Sequence, residues 1–395
     1  MKFQRAAFSS RHLWSSPFVR WQGRLADVSS LDVAVAVTRD ALAQRHCELE
    51  RIDQLVLGTT VPQPRSFYAV PWIASRLGMP GITGPHIAQA CATSVACVVS
   101  AALQVEAQAV SQALVVTADR TSNGPLLAYP RPRAMGGSPA TENWVLDNFA
   151  SDPNTTHSMV HTAEAVAREG AMSRQALDEL TLLRHQQYRT ALADDRRIQR
   201  AYLQPVTIEH GRTRLVVEAD EGVHDTTADG LRALKPVHDD GVVTFGSQTH
   251  PADGAAGALL LAADDARTLA DGAGVVRLVS AAFARAEKAR MPKAATTAAQ
   301  RALELAGLGI DDVHVVTTHN PFAVNDLWFA QQTGYALDKM NPYGCSLVYG
   351  HPQGPTGLRA VAELVQALQA RGGGVGLFTG CAAGDTGAAL VLRLD

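Results

Sequence analysis

Four residues far apart in the sequence carry side chains able to do chemistry together: Cys91, His319, His351 and Cys381. Cys91 stands directly before Ala92-Thr93-Ser94 and a long Ala/Val/Leu stretch that reads as a helix. The free N–H groups and positive end of a helix N-terminus stabilise a thiolate, the nucleophilic form of cysteine. A Cys among Ala and Val also reads as a small core hydrophobe. His351 lies in Gly-His-Pro-Gln-Gly-Pro-Thr-Gly, Gly350–Gly357, ahead of a second such helix. An imidazole within hydrogen-bond reach would take the Cys91 proton, as nucleophilic catalysis requires. The Gly and Pro around it equally suit a tight loop carrying an exposed His. Cys381 opens Cys-Ala-Ala-Gly-Asp at the C-terminal end of an expected strand, where ligands of α/β sheets collect. There a second thiol can act as acid and base, or simply pack. His319 ends another expected strand, in His-Asn-Pro-Phe, placed to hold a developing oxyanion or to be a satisfied structural histidine.

The elements that must position these groups alternate. Apolar runs at Gln54–Thr59, Gln112–Ala118, Gly257–Ala262, Val313–Thr318 and Gly374–Thr379 predict buried strands, each beside an alanine-rich helical pattern. That alternation predicts an α/β layered fold. The stretch from Ala41 to Pro62 is similar to the one from Ala302 to Pro321: helix, Ile-Asp, strand, then a Thr-containing turn ending in Pro. A duplicated half-fold follows, with Cys91 and His351 at corresponding helix starts, able to meet across a pseudo-twofold axis. The expected boundaries are 1–120 plus about 241–265 for the first half and 266–395 for the second. Between them, 121–240 reads as an inserted loop domain with Pro/Gly turns, an amphipathic helix around Arg174–Ala193 and a charged loop. It is a candidate for substrate binding and oligomerisation, or a solvated decoration.

Composition narrows the function. Hydrophobic residues make up 46% and charged residues 18% of the chain, with a net charge of -3. A disordered chain and a basic nucleic-acid binder are excluded. The longest apolar stretch, Cys91 to Ala118, is interrupted by Gln104, Glu106, Gln108 and Gln112, so no membrane span is expected. Without an apolar segment after the first basic residues, a cytoplasmic address is expected. Five cysteines without CxxC spacing argue against a disulfide framework or zinc ribbon, and Cys47, Cys97 and Cys345 read as packed thiols. The 13 histidines include no HExxH, and His157 with His161 lacks supporting ligands, so no metal site is expected. The glycines at 372–374 precede a strand, the reverse of a dinucleotide motif.

Taken in order, these landmarks resemble the thiolase family over nearly the whole length, from Ser16–Gly23 to the last strand. The series runs through the Cys91 region, Thr162-Ala163-Glu164, the Arg174 helix, DEGVHDTTADGLRALKP, DGAAGALLLA, HNPF, NPYGCSLVYGHPQGPTGLR and TGCAAGDTGAALVL. The resemblance implies a duplicated five-layered α-β-α-β-α fold with an inserted loop domain. It implies Cys91 as the nucleophile that becomes acylated, His351 as its activator and Cys381 as acid and base. One oxyanion would be held by His351 with help from His319, the other by the backbone N–H groups of Cys91 and Ala383. Met159, Thr249 and Phe322 would line the pantetheine and acyl channel, with Arg232 and Lys235 near the CoA phosphates. The implied activity is CoA-dependent cleavage of a 3-oxoacyl-CoA or the reverse condensation, with CoA and acyl-CoA as substrates and no permanently bound cofactor. Alternatives are a specialised condensing enzyme of a biosynthetic or aromatic-acid pathway, or a subunit needing a small partner protein. Homodimers through the first-half sheet edge, or homotetramers through the Leu126–Ser138 loop, are expected. The chain departs from the family at three places. Pro321 stands where related branches carry Ala or Cys, Cys-Ala-Ala replaces Cys-x-Gly, and Ser158, Val223 and His224 replace residues that usually contact CoA.

Overall fold

The computed structural model describes residues 1–210, 213–270 and 272–395. Its strands are β1 (Ala6–Ser15), β2 (Val19–Arg20), β3 (Gln54–Gly58), β4 (His86–Ile87), β5 (Gln112–Arg120), β6 (Leu126–Tyr129), β7 (Ala140–Asn143), β8 (Val206–His210), β9 (Thr213–Val217), β10 (Ala252–Ala262), β11 (Val275–Arg285), β12 (Val315–His319), β13 (Gly374–Ala382) and β14 (Thr386–Leu394). Ten of these form one sheet, ordered β12-β13-β14-β11-β1-β10-β5-β3-β4 with β2 on β10, while β6/β7 and β8/β9 are separate hairpins.

Strand order and pairing sense repeat on the two sides of the β1/β11 contact. Going outward, β1-β10-β5-β3 pair antiparallel, antiparallel and parallel, and β11-β14-β13-β12 do the same. The duplication expected from the sequence thus has a counterpart in topology, with β3 and β12 at equivalent places. All five expected strands form. β10 starts earlier than expected, at Ala252, through a Gly/Ala run that lacks strand-forming side chains. Close packing explains it: a Cβ on Gly254 would lie 2.6 Å from the Phe18 ring, and one on Gly257 2.6 Å from Trp14. The small residues make room for two large buried aromatics.

Two helices form the central layer. Thr93–Glu106 and Thr356–Ala370 pack on each other between strands of both halves, burying Val95, Val98 and Ala102 on one and Leu358, Val361, Leu364 and Val365 on the other. A helix apolar around its circumference belongs in an interior layer. On the outside, Ser30–Gln44 covers the first half and Met291–Ala306 the second, through Leu31 and Val35, and through Ala298 and Ala302. Local sequence sets their ends. Ser29 accepts the Leu31 N–H, Pro292 sits in the first turn of its helix, and Gly307 at φ 73° closes it in the left-handed region.

The segment between the halves is more than a loop. Its helices Met159–Glu169 and Arg174–Ala191 bury Ala163, Val166, Leu177 and Leu180 against Phe322, Val324 and Cys345. Two buried ion pairs fasten it: Arg184 to Asp326 at 2.7 Å and Asp220 to Arg359 at 2.6 Å.

Candidate active site

The nucleophile candidate sits on a sharp turn. The chain leaves β4, passes Ala90 at φ 44°, and enters the helix at Thr93, with Cys91 half-buried between. Left-handed backbone at a non-glycine stores about 1–3 kcal/mol, which the surroundings must hold. Thr93 does so: its Oγ1 donates to the Ala90 carbonyl at 2.7 Å and accepts the Gln89 N–H at 2.8 Å.

His351 arrives from the other half. Its Nε2 lies 3.1 Å from the Cys91 Sγ, and its Nδ1 lies 2.6 Å from the Thr356 hydroxyl. The loop carrying it is tied to the first half by Asp119 at the end of β5. That carboxylate accepts N–H groups from Gly354 at 2.8 Å, Thr60 at 2.7 Å and Val61 at 2.9 Å. Gln353, at φ 65°, turns its Oε1 to within 3.3 Å of the Cys91 Sγ. The His319 ring stacks on His351 with centroids 4.0 Å apart, and its Nδ1 meets the Ser346 hydroxyl at 2.9 Å. Cys381, fully buried, receives an N–H from Asn325 at 3.2 Å.

Burial governs the protonation of this cluster. It pushes the Cys91 thiol up to about 12, eased by the backbone N–H groups of Ala383 and Cys91 and raised further by Asp119. It holds His351 well below the ordinary imidazole value, with His319 adding to the effect, and takes His319 down to about 3. The Cys381 thiol is raised by burial and by Cys91, with Asn325 working against them. Burial therefore favours a neutral thiol facing a neutral imidazole.

A cavity of about 250 Å³ opens over Cys91. Met159, Thr249, Phe322, His351 and Ala383, all singled out in the sequence, line it together with Cys91. Phe149, Met291, Pro321 and Gln353 complete much of the wall. Arg232 and Lys235 are exposed and do not line it, and Arg232 pairs with Asp229. Asp119, Asn325, Ser346, Gln353 and Thr356 are site residues that sequence reasoning missed. Thr356 and Gln353 lie inside the Gly350–Gly357 motif, which is a signal that was available. Among the described residues, one group has metal-ligand character: the Cys91 sulfur and a ring nitrogen from each of His319 and His351, all within 4.8 Å of one another.

Comparison with known proteins places this architecture. The family described as "Thiolase, N-terminal domain" matches residues 14–265, and "Thiolase, C-terminal domain" matches residues 273–394. The chain belongs to the thiolase family. Thiolases similar in sequence include the acetyl-CoA acetyltransferase of Escherichia coli (strain K12), 27% identical over 379 residues, covering 94% of this chain and 95% of that one. The 3-ketoacyl-CoA thiolase of Bacillus subtilis (strain 168) is 29% identical over 389 residues, with coverage of 94% and 95%. Among solved thiolases, the Bacillus anthracis acetyl-CoA acetyltransferase superposes at a TM-score of 0.91 with 24% identity over 100% of both chains. Human mitochondrial 3-ketoacyl-CoA thiolase in complex with CoA superposes at 0.90 with 23% identity, over 100% of this chain and 99% of that one. These two show the shared fold, the layered α/β arrangement described above. As a thiolase, the protein is an acyltransferase.

Proposed function

We propose that this thiolase cleaves a 3-oxoacyl-CoA with CoA, giving acetyl-CoA or another short acyl-CoA and a shortened acyl-CoA, or runs the reverse condensation, through an acyl group on Cys91. The observation that carries this reading is the Cys91 sulfur 3.1 Å from His351 at the foot of the cavity. Cys91 attacks the C3 carbonyl while His351 Nε2 takes the thiol proton. The oxyanion formed receives the N–H groups of Cys91 and Ala383, each donor being worth about 3 kcal/mol. The C2–C3 bond breaks, and Cys381 protonates C2 of the enolate, which His351 and His319 help to hold. Free CoA then gives its proton to the Cys381 thiolate and attacks the acyl group, and His351 returns its proton to Cys91. Met159, Thr249 and Phe322 support passage of the pantetheine arm along the cavity wall. Arg232 and Lys235, exposed and outside the cavity wall, are the cations we assign to the CoA phosphates.

The apolar wall built by Phe149, Met291, Pro321 and Phe322 favours a second reading, a condensing enzyme with a restricted acyl partner, including an aromatic one. Assay of both directions against short, long and aromatic acyl-CoAs separates the two, and turnover by the purified chain excludes a need for a partner subunit. The exposed outer edge of β4, with Phe67 and Tyr68 exposed near that end of the sheet, supports a homodimer, and the exposed Leu126 and Met135 support a further contact through the β6/β7 hairpin. No helix among the described residues is long and apolar enough to cross a membrane. Five free cysteines support a reducing, cytoplasmic setting. The deciding test is incubation with labelled acyl-CoA followed by peptide mapping. The label should sit on Cys91 and be absent from Cys91→Ser; labelling of that variant at the wild-type level would refute the mechanism.

A further inference from the structure

We propose that Cys91, His319 and His351 form a trap for a thiophilic divalent cation such as Zn²⁺, and that its occupation silences the enzyme. The three come from separate parts of the chain, so no ligand spacing in the sequence announces them. In space their sulfur and ring nitrogens lie within 4.8 Å of one another. A tetrahedral zinc site with one sulfur and two nitrogen ligands separates its donors by about 3.3–3.6 Å. Cys91 and His351, at 3.1 Å, already approach this, and His319 must close on them.

The surroundings of the two rings point the same way. Each Nδ1 is engaged by a hydroxyl, His351 by Thr356 at 2.6 Å and His319 by Ser346 at 2.9 Å, which leaves each Nε2 as the nitrogen for a ligand, and His351 Nε2 faces the Cys91 sulfur at 3.1 Å. A hydrogen-bond partner on the far nitrogen, usually a carboxylate, backbone carbonyl or water, is how ligating histidines are ordinarily oriented, and here a hydroxyl takes that place. The His319 Nε2 is buried and has no hydrogen-bond partner among the described residues, so it is a nitrogen available to a ligand. The rings stack at 4.0 Å with 25° between their planes, so the His319 ring must turn out of the stack before both in-plane lone pairs reach one ion. A fourth position opens into the cavity, where water or a substrate sulfur completes the coordination. One thiolate and two imidazoles suit zinc or cobalt and not magnesium or calcium.

Binding is stoichiometric in protons: the cation replaces the thiol hydrogen, which leaves as H⁺ to solvent, and no oxidant is needed. With the sulfur bound to metal and the His351 lone pair used, neither attack nor proton transfer can begin. This is an inhibitory site, not a cofactor site, and inhibition should compete with acyl-CoA.

Cobalt titration of the metal-free, full-length protein tests the proposal without relying on turnover. One Co²⁺ per chain should bind with a thiolate-to-cobalt charge-transfer band and the visible bands of a tetrahedral ion, and Zn²⁺ should displace it. Cys91→Ser should lose the charge-transfer band, while Cys381→Ala should keep it. Ser346→Ala should weaken binding by about 10- to 100-fold, the usual effect of removing a partner behind a ligating histidine. Absence of the band, its survival in Cys91→Ser, or its loss in Cys381→Ala with a native circular dichroism spectrum would overturn the trap. Should a variant fail to fold, alkylation of wild-type Cys91 by iodoacetamide, located by peptide mass, decides: Zn²⁺ must protect it, and unchanged alkylation refutes the proposal. Failure here leaves the acyl-transfer reading intact, because labelling of Cys91 by acyl-CoA is scored separately.

Discussion

Replacing Thr356 by valine removes one hydroxyl and almost no volume. Thr356 is fully buried at the first position of the central helix Thr356–Ala370, and its Oγ1 is the hydrogen-bond partner of His351 Nδ1, at 2.6 Å. In Thr356→Val the helix keeps its packing while Nδ1 loses its partner in a dry site. Leaving such a group unsatisfied costs about 1–3 kcal/mol. The ring can respond by tilting or by moving its proton to Nε2, and either change takes the lone pair away from the Cys91 thiol. At the usual conversion the loss is about 5- to 150-fold in the rate of Cys91 acylation. Single-turnover mixing with acyl-CoA, quenched and read by intact mass, measures this step directly. Thr356→Ser keeps a hydroxyl and should recover most of the rate. Acylation of the valine variant within about twofold of wild type, in a protein with unchanged melting, would show that the hydroxyl does not orient His351.

Three other outcomes can be checked. Asp220→Asn removes the carboxylate that accepts two Arg359 N–H groups, the Phe18 N–H and the Tyr188 hydroxyl. Arg359 keeps Glu363 at 3.1 Å, so the loss of stability in urea should be about 2–3 kcal/mol, below the roughly 3–5 kcal/mol of a fully stranded buried charge; a shift below about 1 kcal/mol would contradict this. Asn325→Leu takes the N–H from Cys381 and should slow exchange of the acetyl-CoA C2 hydrogens into deuterated water by about tenfold, for a bond worth about 1.5 kcal/mol. Acylation of Cys91 should stay normal, and unchanged exchange would remove Asn325 from the mechanism. Burial takes His12, His185 and His250 down to about 4 and His319 to about 3, and depresses His351 as well. Unfolded histidines take up protons near pH 6.5, so their stabilising contribution is complete above that value and is lost as pH falls toward 4. Burial also raises Asp119 and Glu363 to about 7, and raises Asp253, which opposes the trend, but the histidines outnumber them. Stability should fall by up to about 3 kcal/mol per pH unit below pH 6, and a urea midpoint that is flat or rises between pH 7 and pH 5 would refute this.

Much of the fold was legible because burial leaves a periodic trace. The strand cores at Gln54, Gln112 and Gly374 and the helix from Arg174 were readable from apolar runs and spacing. β10 was only half legible, since its Gly/Ala stretch is shaped by Phe18 and Trp14, which belong to a distant part of the chain. The reactive residues were legible where chemistry restricts residue type, as at Cys91 and His351. Asp119 was not: an Asp at the end of an apolar run looks like any turn residue until the structure brings Gly354 and Thr60 to it. Asn325 and Ser346 are invisible for the same reason, because their roles depend on partners far away in sequence. The anchoring of the insert by Arg184 and Asp220 was hidden by the fact that most Arg and Asp side chains are solvated.

The place of β1 in the sheet also bears on how the protein is made. Both of its neighbours, β10 and β11, lie far downstream, at Ala252–Ala262 and Val275–Arg285, and β10 is also the partner β5 needs to be covered on that side. A ribosome therefore releases most of the first half with its central strand positions still vacant: β1 and β5 gain their shared partner only with β10, and the second neighbour of β1 follows with β11. Pairings of such long sequence separation form slowly and leave apolar edges open meanwhile. Fragments cut between the halves should each expose the β1/β11 seam and gain solubility when mixed.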